Sequence, residues 1–320
     1  MTTSQHHNIT TITRKCLLVI ALLVTFIQCD TQNELKNGMY LSSEDLEGVL
    51  ATSEKFNTYL RQKSTIDFIK KNIELREKIQ TIGSGLAPFL TNVQMEAAES
   101  IIARLVNNDT DNNSNQRSDS SNDDFALSST CSQLTERLAD DIKQSMISAL
   151  EKGASLVQIS NDLERVISNF KSEVGNNPSL TLEESRALLA VAEFQKNSIP
   201  EIVNMAASSN TNNEGGRTQG WFSKLVSVVV AVVVATVVVA AAAATGGAMA
   251  VALGATISQA GWGIIIGVGA AVGAAYGGVV GYDMAFNRNS YISDFDPFNV
   301  GGGFLDWESC SVNPGHWGCL

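Results

Sequence analysis

Residues 225–244 read LVSVVVAVVVATVVVAAAAA: ten Val, seven Ala and one each of Leu, Ser and Thr. As a helix, a run of this length spans about 30 Å, the thickness of a bilayer's hydrocarbon core. On an insertion scale its Val and Leu residues supply roughly −3 to −7 kcal/mol, enough to drive insertion without much surplus. Left exposed in water, a run so rich in Val favours strands and self-aggregation. In a bilayer the backbone must satisfy its own polar groups, so the segment has to be helical there. The competing reading is a buried segment in the core of a soluble protein.

A second apolar stretch follows at residues 261–282, GWGIIIGVGAAVGAAYGGVVGY. Gly263, Gly267, Gly269, Gly273, Gly277 and Gly281 form a chain of GxxxG steps, and the last four make one continuous stripe on a helix. Glycine adds little to insertion but lets backbones approach closely, so this helix is expected to need the Val/Ala helix, or a second copy of itself, as a partner. Between Lys224 and Asp283 no Asp, Glu, Lys or Arg occurs. The two runs therefore read as a hairpin over residues 221–286, turning either at Thr245-Gly246-Gly247 or between Thr256 and Gly261. Trp221, Phe222, Trp262, Tyr276 and Tyr282 lie where interfacial aromatic belts are expected.

The run from Gly269 to Tyr282 resembles the glycine-zipper membrane hairpins of small bacterial envelope proteins and some pore-forming peptides. The resemblance covers only the C-terminal apolar block. It implies a packing mode and, by analogy, envelope association or pore formation. The long acidic helical region upstream departs from that pattern.

That region carries the whole charge imbalance. The net charge is −11, and residues 30–216 account for it because the flanks cancel. A nucleic-acid partner is disfavoured, since neutralising phosphates requires clustered Lys and Arg, and no polybasic patch for anionic lipid is present. The expected partner is a lipid bilayer, with self-association through the glycine face.

The amino terminus, residues 1–29, reads as an export signal. Arg14-Lys15 precede twelve apolar-leaning residues, Cys16 to Ile27, which span only about 18 Å as a helix. Cys29 stands where bacterial lipoproteins carry their acylated cysteine, behind Phe26-Ile27-Gln28. It is a lipidation candidate beside ordinary cleavage near Cys29 or Asp30. The chain is expected to be exported, and membrane-associated or secreted.

Residues 30–106 read as helical. Ser42 and Ser64 are candidate N-caps, each with an Asp three residues on. Leu46, Val49 and Leu50, then Ile66, Ile69 and Ile73, then Met95, Ile101, Ile102 and Leu105 follow at helical spacing. Gly83-Ser84-Gly85 and Pro88 are expected to break this block. Residues 107–124 contain no apolar side chain and read as a disordered linker, with glycosylation acceptor patterns at Asn108 and Asn112.

Residues 125–207 form a second helical block. One stripe runs Leu134, Leu138, Ile142, Met146 and Leu150, and another runs Ile159, Leu163, Val166, Ile167, Phe170 and Val174. Thr181 and Glu184 form a capping box that opens a third helix with Leu188, Leu189, Val191 and Phe194. Residues 208–220 read as a second linker. The expected fold class is all-α, with helical bundle regions followed by the two-helix hairpin.

Residues 287–320 are a Cys-containing tail. Cys310 and Cys319 are placed to form a disulfide around Pro314, Gly315, His316 and Trp317, worth roughly 2–3 kcal/mol by chain entropy. A zinc site built from Cys310, His316, Cys319 and a carboxylate such as Asp306 matches no standard spacing. Removal of the signal leaves His316 as the sole histidine, and no nucleophile elbow, metalloprotease, phosphate-loop or dinucleotide motif is present. Neither catalysis nor a cofactor is expected. The leading functional expectation is an exported membrane-active protein that inserts the hairpin, in the manner of a pore former or toxin. The rival is a resident, membrane-anchored structural or adaptor (lipo)protein of the cell envelope or surface.

Overall fold

The computed structural model describes residues 41–71, 73–111, 127–208, 219–245 and 261–286. Those residues form nine α-helices and no strand, so the all-α class holds. The helices are α1 (Ser43–Arg61), α2 (Lys63–Ile69), α3 (Leu75–Leu86), α4 (Asn92–Asp111), α5 (Ser129–Glu151), α6 (Leu156–Gly175), α7 (Leu182–Ser208), α8 (Gln219–Thr245) and α9 (Trp262–Phe286), with a 3₁₀ turn at Ala87–Phe89.

Several helix starts follow from capping chemistry. The Ser42 hydroxyl accepts from the Asp45 N–H at 3.1 Å and opens α1. Ser155 and Gln158 close a reciprocal capping box on α6. At α7 the Thr181 N–H donates to the Glu184 carboxylate at 2.8 Å, while the Glu184 N–H donates to the Thr181 hydroxyl at 3.2 Å. Each such cap satisfies backbone donors that a helix start leaves without partners.

The amphipathic stripes face inward. Leu134, Leu138, Ile142 and Met146 of α5 are buried, as are Ile159, Leu163, Ile167, Phe170 and Val174 of α6. Val166 is only half-buried. α6 packs on α5 and α7, and α7 reaches across to α1, α8 and α9. An aromatic chain ties this side together: Phe56 of α1 lies 5.5 Å from Phe194 of α7 and 6.2 Å from Tyr59, which in turn meets Phe89 edge-on at 6.1 Å.

At the centre of the described helices lies α9. It packs against α8, α1, α4, α7, α3 and α2, and every residue from Ile265 to Asp283 is buried. A helix that is apolar on every side needs such surroundings. Between Leu225 and Ala244 only Ser227 and Val238 of α8 are partly exposed. α8 and α9 are both long and apolar enough to cross a membrane, at Lys224–Ala244 and Trp262–Asp283, and both lie mostly inside the protein.

Five local expectations are corrected. Ser64 is not a cap: α2 begins at Lys63 behind Gln62, and the Thr65 hydroxyl bonds the Tyr59 carbonyl at 2.7 Å, tying the turn back to α1. Gly83-Ser84-Gly85 does not break the chain but lies within α3. An ideal Cβ on Gly85 would sit 2.9 Å from the Tyr59 ring and one on Gly83 would sit 3.3 Å from Ile102, so these glycines make room for neighbours. α4 runs on to Asp111, five residues into the segment read as linker, where propagating an existing helix needs no new nucleus. α8 begins at Gln219, just inside the second linker. Finally, Tyr276 is buried within α9 rather than placed at a boundary.

The export signal, Cys29, Asn112, the turn candidates at 246–260, and the tail with Cys310, His316 and Cys319 lie outside the described residues. Asn108 lies on α4.

Candidate functional site

The geometry that matters lies on the surface of α9. Its six predicted packing glycines divide into two sets facing different partners, as the 200° rotation between positions 267 and 269 requires. Gly269, Gly273, Gly277 and Gly281 face α8. An ideal Cβ would sit 3.1 Å from Ala240 Cα at Gly269, 2.5 Å from the Ala235 carbonyl at Gly273, 2.5 Å from the Ala231 carbonyl at Gly277 and 2.8 Å from Ala231 Cβ at Gly281. Backbone thus lies against backbone along about three turns, a separation that any larger residue would forbid.

Gly263 and Gly267 face α1 instead. A Cβ on Gly263 would run into the Asp45 backbone, and one on Gly267 would lie 2.9 Å from Thr52 Cβ. α1 answers with its own glycine, because a Cβ on Gly48 would lie 2.9 Å from Ile264. This contact rotates α1 away from its expected register. The predicted face of Leu46, Val49 and Leu50 contributes only Val49 to the core, with Leu46 half-buried and Leu50 38% exposed. Asp45, Gly48, Thr52, Ser53, Phe56 and Asn57 are buried in their place.

Polar groups fasten both ends of α9 to the shell. At its start, Gly261 has φ +76°, a value that glycine adopts without strain. The Gly263 N–H then donates to the Asp45 carboxylate at 3.0 Å. The carboxylate therefore satisfies a first-turn donor and faces the positive end of the helix dipole. The other oxygen of Asp45 accepts from the Arg186 guanidinium of α7 at 2.5 Å.

At the far end, the Lys78 ammonium of α3 lies 2.5 Å from Asp283, with side-chain exposures of 0% and 3%. It also donates to the Ile69 carbonyl at 3.1 Å and lies 5.8 Å from the Tyr282 ring centre.

Further polar contacts line the shell. Gln195 of α7 donates to the Val233 carbonyl of α8 at 2.8 Å, while its own Oε1 is buried with no hydrogen-bond partner. The hydroxyls of Ser185 and Ser198 on α7 are likewise buried without one. α1 and α7 are stitched along their length: Asn57 donates to the Asn197 carbonyl at 3.0 Å, Asn197 donates to the Ser53 hydroxyl at 2.5 Å, and Arg61 donates to Glu201 at 2.9 Å. The Thr236 hydroxyl, within α8, is satisfied by its own helix through the Val232 carbonyl at 2.6 Å.

Where α5 meets the start of α7, Cys131 is a buried free thiol whose pKa burial pushes up to about 11. Beside it, burial acts to raise the pKa of Glu184. Hydrogen bonds with Ser128, Thr181 and Cys131 outweigh that effect and hold the carboxylate below its ordinary range. Among the described residues no group of three His, Cys, Asp or Glu is placed to hold a metal ion.

Sequence reasoning singled out the glycines but not Asp45, Lys78, Asp283 or Gln195. Asp283 had a signal, being the first charge after the charge-free run. Lys78 had none, because one lysine in a charged helix looks like any other. Comparison with protein families, curated proteins and solved structures returns no match to this chain.

Proposed function

We propose that this chain is an exported, membrane-active protein that carries α8 and α9 folded inside a helical shell and inserts them into a target bilayer. Once inserted, copies associate through the glycine surface that opening uncovers and permeabilise the membrane. The observation that carries this reading is the enclosure, within amphipathic helices, of two bilayer-length apolar helices whose only charges, Lys224 and Asp283, stand at the ends of the apolar spans. In this arrangement little of either apolar helix is left to face lipid, so insertion requires the shell to open. Marginal hydrophobicity suits such a role. A hairpin of Val, Ala and Gly can be held in a shielded form, whereas a Leu-rich one would gain far more from lipid.

Supporting the same reading, the shell helix α7, which packs on both apolar helices, buries polar groups. Gln195, Ser185 and Ser198 each bury an oxygen without a hydrogen-bond partner, a state that hydration on opening would relieve. The test is purified full-length protein added to liposomes loaded with a self-quenching dye. Binding with dye release is the expected result. Binding without release, with retention through an alkaline carbonate wash, would favour the resident anchor instead. Protein that neither binds nor releases dye would mean that the hairpin is simply the core of a soluble fold.

A further inference from the structure

We infer that the protein divides between the shell and the hairpin, so that α8 and α9 leave as one preformed body and never separate from each other. This deepens the proposed function and rests on it. Two kinds of interface meet on α9, and they differ in what replaces them outside the fold.

The seam between α8 and α9 is set by Gly269, Gly273, Gly277 and Gly281 against Ala231, Ala235, Ala240, Val228 and Val232. Its attraction is close van der Waals packing. Lipid chains cannot reproduce that packing against a groove formed by backbone, so the seam keeps its value in a bilayer.

The shell contacts are of another kind. Asp45 holds the Gly263 N–H, Lys78 holds Asp283, and Gln195 holds the Val233 carbonyl. Shell-side groups in each pair can exchange the protein partner for water as the bundle opens, which lowers the net loss on opening. Asp283 is the last residue of the apolar span, placed to reach the interface rather than the hydrocarbon centre. Departure of the hairpin as a unit leaves the four-glycine stripe covered by α8 and uncovers Gly263 and Gly267, which α1 covers in the closed form.

Tethers across each interface separate the alternatives. An ideal Cβ on Gly269 lies 3.6 Å from Ala240 Cβ, within the range of a disulfide, so Ala240→Cys with Gly269→Cys ties the hairpin to itself. On the shell side, an ideal Cβ on Gly267 lies 2.9 Å from Thr52 Cβ, so Thr52→Cys with Gly267→Cys ties α9 to α1 after a small shift. If that pair fails to fold, Gly48→Cys with Ile264→Cys places a tether one turn away.

Full-length variants, with each new disulfide confirmed by peptide mass, are added to dye-loaded liposomes in oxidised and reduced forms. The expected result is loss of release when α1 and α9 are tethered, restored by reductant, and retained release when α8 and α9 are tethered. Release blocked by the hairpin tether, or unaffected by the shell tether, would overturn the inference while leaving the membrane activity standing. Wild-type protein that releases no dye would overturn the proposed function, and this inference with it.

Discussion

Lys78 and Asp283, 205 positions apart in the chain, meet at 2.5 Å with both side chains closed off from solvent. The opposite charge beside each group offsets the cost of burying it. Lys78→Met alone should therefore destabilise the fold by about 3–5 kcal/mol by removing the ammonium that faces the buried carboxylate. Lys78→Met combined with Asp283→Leu should recover most of that loss. Urea denaturation of the single and double variants measures both, and a double variant no better than the single would show that the pair does not act as a unit.

Two adjacent glycines should behave in opposite ways. Gly277→Ala puts a methyl group 2.5 Å from the Ala231 carbonyl and 2.7 Å from Val232 Cα, whereas the nearest atom to the same methyl at Gly278 is Met205 Cε at 3.6 Å. The first change should cost about 1–3 kcal/mol through overpacking. The second should be neutral or stabilising by up to about 1 kcal/mol, since Ala is the better helix former. Thermal denaturation of the two variants side by side makes the comparison. Gly273→Ile with Gly277→Ile should prevent α8 and α9 from closing at all.

Acid should weaken the start of α7 through Glu184. Its carboxylate is held below the ordinary range, so the native state binds the proton less readily than the unfolded chain does. The associated stability is present above the unfolded pKa of about 4.3 and is lost as pH falls through the lower folded value. Glu184→Gln should remove this component and flatten the stability profile across the acid range. Denaturation midpoints of both proteins from pH 7 down to pH 3 provide the check, and parallel profiles would count against the assignment.

Cys131 should resist alkylation in the folded protein. Burial leaves its sulfur inaccessible and pushes the thiol to about 11, so little thiolate exists at pH 8. Maleimide labelling followed by peptide mapping should find the Cys131 peptide unmodified in native protein and modified in denaturant. Rapid native labelling would mean that α5 separates from α7 far more readily than its packing indicates.

The parts legible in the sequence were those governed by local chemistry. The stripe through Leu134 and Ile142, the capping box of Thr181 and Glu184 and the N-cap at Ser42 each depend on neighbours within a turn or two, and each is found where expected. α1 was misread because an apolar stripe is the ordinary sign of an inward face. Here the inward face is chosen by size, since only Gly48, Thr52 and the Asp45 backbone fit against Gly263 and Gly267. The sequence shows the spacing of the α9 glycines, but which partner each one faces depends on the helices that surround them. The Lys78 pairing was beyond reach because its partner lies in another helix at a sequence distance no local pattern spans.

The central position of α9 also bears on how the chain is made. α1 to α8 leave the ribosome first, and at about 5–20 residues per second the stretch from Thr245 to Phe286 takes roughly 2–8 s to follow. During that interval the valine run of α8 has been synthesised while the helix that should lie against it has not. The nascent chain must pass through this vulnerable window on every round of translation. Until the last described helix arrives, the face of α8 that its glycines cover in the folded protein lacks that cover.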